Sequence, residues 1–313
     1  MSAPARIAFA GTPQFAVPTL HAVIASGARV PVVLTQPDRP AGRGRQLSAS
    51  PVKLAAAACG LRVAQPESLA ASAALDDLGD APDLLVVIAY GLLLPPAMLA
   101  WPRLGCVNLH ASLLPRWRGA APIQHALLAR DATTGVSLMR IERGLDTGAV
   151  YLARPTPIGA RETAGELHDR LAALAAETLA DALPDLLAGA LVPTPQQASL
   201  ATHAPKIAKA DAALDWRLSA LELDARVRAF DPWPVAETRL ADGTRLRVWR
   251  AEPHGAGASA APGAVIAAGL AGIDVATGDG VLRLTKVQPP SGKVMDAGAY
   301  VAAHSLHGAS FVV

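Results

Sequence analysis

An α/β chain, with a mostly parallel sheet in its first part and a small β-barrel in its last, is the fold the 313-residue sequence predicts. Three observations carry it. Short apolar runs alternate with helical patterns through the first half, a proline-rich polar break follows residue 191, and beyond residue 207 short alternating strands are punctuated by glycine turns. The length exceeds one typical domain of about 100–200 residues, so two domains are expected.

The elements follow in order. Residues 6–10 read as a short apolar strand, 18–26 as a helix and 30–35 as a second strand, which is the grammar of parallel βαβ units. A helix at 51–59, an apolar strand at 84–89, a strand at 106–110 and a helix at 122–129 continue it, the last with a proline suited to a first helical turn. Helical periodicity over 163–187 closes the unit. Residues 1–190 are therefore read as a Rossmann-type sheet domain. The break Val192-Pro193-Thr194-Pro195-Gln196-Gln197 places a linker at 191–207. Residues 208–313 carry a helix at 219–228 and strands such as 245–249 and 281–287. Asp242-Gly243 and Gly278-Asp279-Gly280 are hairpin turns, and a Gly- and Ala-rich stretch at 253–262 is a loop. Alternating apolar and basic residues on these strands predict an OB-like β-barrel, an architecture that often binds nucleic acid.

Composition narrows the function classes. With 51% hydrophobic residues the chain is expected to be globular and soluble. A net charge of +2 is too small for a protein that coats nucleic acid, so a polyanion has to be met by a local patch. Between Arg29 and Arg62 six basic residues face one acid, Asp38, and between Trp101 and Arg130 there are four arginines and no acid. Cys59 and Cys106 form neither a disulfide framework nor a CxxC metal site, which suggests a reducing compartment, and no metal is expected. The apolar run before Gly11-Thr12-Pro13 is too short for a signal peptide. The uncharged stretch 84–101 is long enough to span a bilayer, but Pro95-Pro96 favours a buried strand ending in a loop.

A nicotinamide dinucleotide is a poor fit, because the first strand is followed by a single glycine, Gly11, where pyrophosphate binding needs three. The densest chemical signal is Val107-Asn108-Leu109-His110-Ala111-Ser112-Leu113-Leu114-Pro115. Strand alternation puts Asn108 and His110 on one face, near a carboxyl end where open α/β sheets bind ligands, and both side chains can donate to a developing oxyanion. Asp146, in Gly144-Leu145-Asp146-Thr147-Gly148, is an acid in a tight turn that can support a protonated His110 if the two meet in the fold. On residues alone, structural roles for all three remain open.

Longer strings sharpen this. Phe9-Ala10-Gly11-Thr12-Pro13, Gln36-Pro37-Asp38-Arg39-Pro40-Ala41-Gly42-Arg43-Gly44, the Asn108-Leu109-His110 segment continuing to Arg116-Trp117-Arg118-Gly119-Ala120-Ala121-Pro122, and the Asp146 turn resemble the methionyl-tRNA formyltransferase family of folate-dependent formyltransferases. The likeness continues through Lys206-Ile207, Asp215-Trp216 and Arg228-Ala229-Phe230-Asp231-Pro232-Trp233-Pro234. It implies transfer of formyl from 10-formyltetrahydrofolate to the amine of methionyl initiator tRNA by Asn108, His110 and Asp146. It further implies a folate site lined by Ser112, Leu113, Leu114 and Pro115, and contacts to tRNA through Arg39, Arg43, Arg45, Lys206 and Lys209. A cytoplasmic monomer without metal or membrane is expected. The alternatives are a formyltransferase acting on an amino sugar or nucleotide amine, a tRNA-binding protein without activity, and a formyl hydrolase.

Overall fold

The computed structural model describes residues 3–41, 46–69, 77–255 and 259–312. They form two compact units. The first comprises Met1–Gly119, Thr133–Pro157 and His168–Ala204, the second Ala120–Ala132, Ile158–Leu167 and Pro205–Val313.

The first unit is built on a seven-stranded sheet. Its strands are β1 (Ile7–Gly11), β2 (Val33–Leu34), β5 (Val63–Ala64), β6 (Leu84–Ile88), β7 (Cys106–His110), β9 (Thr133–Arg140) and β10 (Val150–Pro157), in the spatial order β10-β9-β7-β6-β1-β2-β5. Two short ribbons accompany it: β3 (Arg39–Ala41) with β4 (Gln46–Ser48), and β8 (Arg118–Gly119) with β11 (His203–Ala204). The five strands from β5 to β7 pair in parallel, as the alternating grammar predicts, whereas β9 is antiparallel to β7 and β10 to β9. β1 and β6 are buried along their whole length, which is why they read as unbroken apolar runs. β2 is shorter than the sequence suggests, pairing only at Val33 and Leu34. Helix Ala164–Ala188 presents Leu171, Ala175, Leu179, Leu183 and Leu186 to the interior at helical spacing. Its start is set by Thr163 and Glu166: the Glu166 carboxylate accepts from the Thr163 backbone and hydroxyl, and the Thr163 hydroxyl accepts from the Glu166 backbone.

The second unit is an antiparallel sheet of β12 (Ala236–Leu240), β13 (Arg245–Pro253), β14 (Val265–Gly269), β15 (Gly272–Ala276), β16 (Val281–Gln288), β17 (Met295–Asp296) and β18 (Phe311–Val312). The order is β14-β15-β16-β13-β12-β18, with β17 on β16. The start of β14 meets the start of β18 through an Ala264–Ser310 bridge, with Phe311 N donating to Gly263 O at 2.8 Å and Val265 N to Ala309 O at 3.0 Å. That contact curls the sheet round into the small barrel the sequence predicts. Both expected turns are present: Gly243, at φ +89°, lies between β12 and β13, and Thr277 and Gly280 close the β15–β16 connection. Leu246, Val248, Ile273, Val275, Leu282, Leu284 and Val287 fill the interior around Trp216, whose indole nitrogen donates to the Thr238 hydroxyl. Helix Ala220–Ala229 opens with a Ser219–Glu222 capping box and packs on β13 and on helix Pro122–Leu128.

Candidate active site

β7 supplies the first two site residues. Its residues Cys106, Val107, Leu109 and His110 are buried, while Asn108 is half-buried and its side-chain amide has no hydrogen-bond partner among the described residues. An amide so placed at the carboxyl end of a parallel strand is available to a ligand. Cys106, at the start of the same strand, is inert, because burial pushes its thiol up to about 12.

His110 is 7% exposed, and its ring is oriented by the loop that follows it. Nε2 lies 2.9 Å from the carbonyl oxygen of Trp117, a contact that requires a proton on that nitrogen. Nδ1 lies 3.7 Å from Asp146 Oδ2, too far for a direct hydrogen bond and close enough for strong electrostatic contact. Both ring nitrogens therefore face oxygen acceptors, and Nδ1 remains free to donate to a third oxygen. Asp146 itself sits in a turn at φ +53°, a left-handed conformation that acidic residues tolerate better than most. Its Oδ2 accepts from Gly119 N at 2.9 Å, which aims the carboxylate at the histidine.

The loop between His110 and Gly119 is held from inside. Ser112 is fully buried, with its hydroxyl donating to Arg116 O at 2.6 Å, and Ser137 on β9 donates to Ser112 O and accepts from Leu114 N. Leu113, Leu114 and Pro115 are half-exposed. Trp117 N donates to the Thr202 hydroxyl, Arg118 N to Thr202 O, and β8 pairs with β11 in parallel. Gly119 is required there: at φ +123° a Cβ would stand 2.6 Å from Ala204 O.

Sequence reasoning missed several of these supports. Gln196, read as linker, donates to Asp146 O and Gly148 O and accepts from Arg118. Thr202 and Ser137 are distant in sequence from the motif they brace, and no local pattern marks them, whereas the nearly buried Arg118 guanidinium lies within the motif but its partner Gln196 does not.

The carboxyl ends of β1, β2 and β6 are tied together. The Thr12 hydroxyl donates to Tyr90 O and accepts from Gln36 N, and the Gln36 amide reaches Tyr90 O. Arg39, exposed, donates to Gln36 Oε1 at 3.0 Å. Asp38 anchors the base of this loop through Lys53 and Gln65, and the Lys53 hydrogen bond holds its carboxyl below the usual range. Arg43 and Arg45 lie outside the described residues. In the second unit Lys206 and Lys209 are exposed. Among the described residues no cluster of three His, Cys, Asp or Glu suits a metal ion, and no helix is long and apolar enough to cross a membrane.

Residues 5–183 match the formyl transferase family model and 206–305 that of the formyl transferase C-terminal domain. The chain belongs to the formyltransferase family. It is 54% identical over 304 residues to the methionyl-tRNA formyltransferase of Methylococcus capsulatus, covering 97% of this chain and 98% of that one. The methionyl-tRNA formyltransferase of Xylella fastidiosa is 54% identical over 300 residues, 95% of this chain and 97% of its own. Among solved structures, HypX from Aquifex aeolicus in complex with tetrahydrofolic acid superposes with a TM-score of 0.63 at 17% identity, over 96% of this chain. The chain spans 47% of that protein's length, and the likeness is one of fold.

Proposed function

We propose that this chain transfers the formyl group of 10-formyltetrahydrofolate to the α-amine of methionyl initiator tRNA, giving N-formylmethionyl-tRNA for translation initiation. The observation that carries the reading is identity of 54% along nearly the full length of two relatives bearing that name. The site geometry supplies the chemistry.

An α-amine with a pKa of roughly 8 or less is substantially neutral near neutral pH, so generating the nucleophile is a small part of the barrier. Its nitrogen attacks the formyl carbon, a C–N bond forms, and the carbonyl electrons move onto oxygen. The unpartnered Asn108 amide and His110 Nδ1, on one face of β7, donate to that oxyanion, each contributing about 10²- to 10³-fold in rate. The Asp146 carboxylate, 3.7 Å from Nδ1, stabilises positive charge on the ring, while the Trp117 carbonyl accepts from Nε2. The intermediate collapses by breaking the bond to N10 of the folate, which takes up the proton lost by the amine, with Asp146 and His110 assisting its transfer.

Leu113, Leu114 and Pro115 offer the half-exposed surface for the folate, and Ser112 shapes that loop from within. Arg39, Arg43 and Arg45 engage the acceptor stem of the tRNA, and Lys206 and Lys209 extend the contact along its backbone. The protein acts as a cytoplasmic monomer. The test offers labelled 10-formyltetrahydrofolate with methionyl initiator tRNA or free methionine in separate reactions. Label on the tRNA-borne methionine alone is expected; label on free methionine as well, or formate released without acceptor, would overturn the reading.

A further inference from the structure

We propose that Gln196 is a positioning residue for the formyl-transfer reaction, acting through Asp146. The inference rests on the role given to Asp146 above and adds what holds that residue in place. A non-glycine residue at φ +53° persists only where its surroundings fix it. The Asp146 side chain is fixed by Gly119 N, and its backbone is fixed by Gln196, whose amide nitrogen donates to Asp146 O at 2.9 Å and Gly148 O at 2.7 Å. The same side chain turns its oxygen to Arg118, accepting from Nε at 3.0 Å and Nη2 at 2.8 Å.

These contacts close a ring. From the Asp146 carboxylate the path runs to Gly119 N, along the backbone to Arg118, through its guanidinium to Gln196, and from the Gln196 amide back to the Asp146 carbonyl. A displacement of Asp146 relative to Gly119 has to break one of these bonds, and the same segment holds His110 through the Trp117 carbonyl. Both ends of the ring are pinned: Thr194 exchanges two backbone hydrogen bonds with Val150 at the start of β10, and Arg118 N donates to Thr202 O. Only a primary amide fits the corner. It needs two donors for the carbonyls and an acceptor for the guanidinium on one planar group, and asparagine is shorter by one methylene. The proline-rich segment is thus a brace for the acid.

The variants Q196M and Q196E separate the possibilities. Methionine removes both halves of the contact at similar volume, whereas glutamate keeps the acceptor for Arg118 and places an oxygen against the two carbonyls. Single-turnover formyl transfer is expected to fall roughly 10- to 100-fold in each, with KM for folate and tRNA unchanged. The double variant D146N/Q196M is expected to match D146N alone, because Gln196 has nothing left to position. Parental activity in Q196E would show that Gln196 serves Arg118 only, and additive losses in the double variant would show that it acts apart from Asp146; either overturns the proposal. Should Q196M fail to fold, D146N/Q196E carries the same comparison. Impaired D146N beside unimpaired Q196M and Q196E overturns this inference alone, whereas D146N at the parental rate removes the role of Asp146 and this inference with it.

Discussion

Replacing Asp146 by Asn tests the electrostatic core of the site with little change of shape. Asp146 Oδ2 lies 3.7 Å from His110 Nδ1, and both side chains are nearly buried, at 13% and 7% exposure. At an effective dielectric constant of about 20, opposite unit charges at that distance attract by about 4 kcal/mol. A tenfold rate change corresponds to about 1.4 kcal/mol, so losing the whole interaction bounds the effect near roughly 10³-fold. Asparagine keeps an oxygen for Gly119 N, and the fold is expected to survive. The rate of formyl transfer, measured in single turnovers with both substrates saturating, is expected to fall about 10²- to 10³-fold while tRNA affinity is retained. A rate within a factor of about three of the parent, roughly 0.6 kcal/mol, would refute the charge argument.

Three further outcomes are expected. His110→Ala is expected to nearly abolish formyl transfer while tRNA binding, measured by filter retention, stays at the parental level; comparable activity would remove His110 from the mechanism. Arg43→Ala is expected to weaken productive tRNA engagement and flatten its salt dependence by about one contact, with the folate KM unchanged. Parental tRNA kinetics would refute that assignment. In the barrel unit, burial holds the Asp231 carboxyl above its ordinary range against the opposing pull of Arg250, with Glu166 adding to the rise. A raised folded-state pKa means that the contribution is present when the acid is protonated and lost as pH rises through that value. Asp231→Asn is therefore expected to raise the thermal midpoint at pH 7 relative to the parent, with the gain shrinking as pH falls below the folded-state value. An equal gain at every pH would contradict the cause given.

The sequence carried the parallel strands well, because residues 84–88 are an unbroken apolar run and 106–110 alternate Val107 and Leu109 with Asn108 and His110. It carried the barrel turns through Gly243 and Gly280, whose positive φ angles only glycine adopts without strain. The β9–β10 hairpin was not anticipated as a pair at the sheet edge. Tyr151-Leu152-Ala153-Arg154-Pro155-Thr156 mixes prolines with polar residues, as an edge strand does. Asn108 and His110 were legible from alternation on one strand, but their convergence with Asp146 was not, since that depends on Gly119 and on bonds from residue 196. The linker reading of 192–197 fits its composition, yet composition is blind to partners: Thr194 and Gln196 are tied to a strand and a turn far away in sequence. Polar side chains that brace a site from a distance leave no periodic signal.

The acceptor is decided by offering the purified chain a mixture of methionyl initiator tRNA and an amino-sugar nucleotide, with 10-formyltetrahydrofolate as donor. Mass spectrometry then identifies which amine carries formyl after the tRNA is deacylated. N-formylmethionine and an unmodified sugar are expected; formyl on the sugar, with the methionine free, would overturn the proposed reaction.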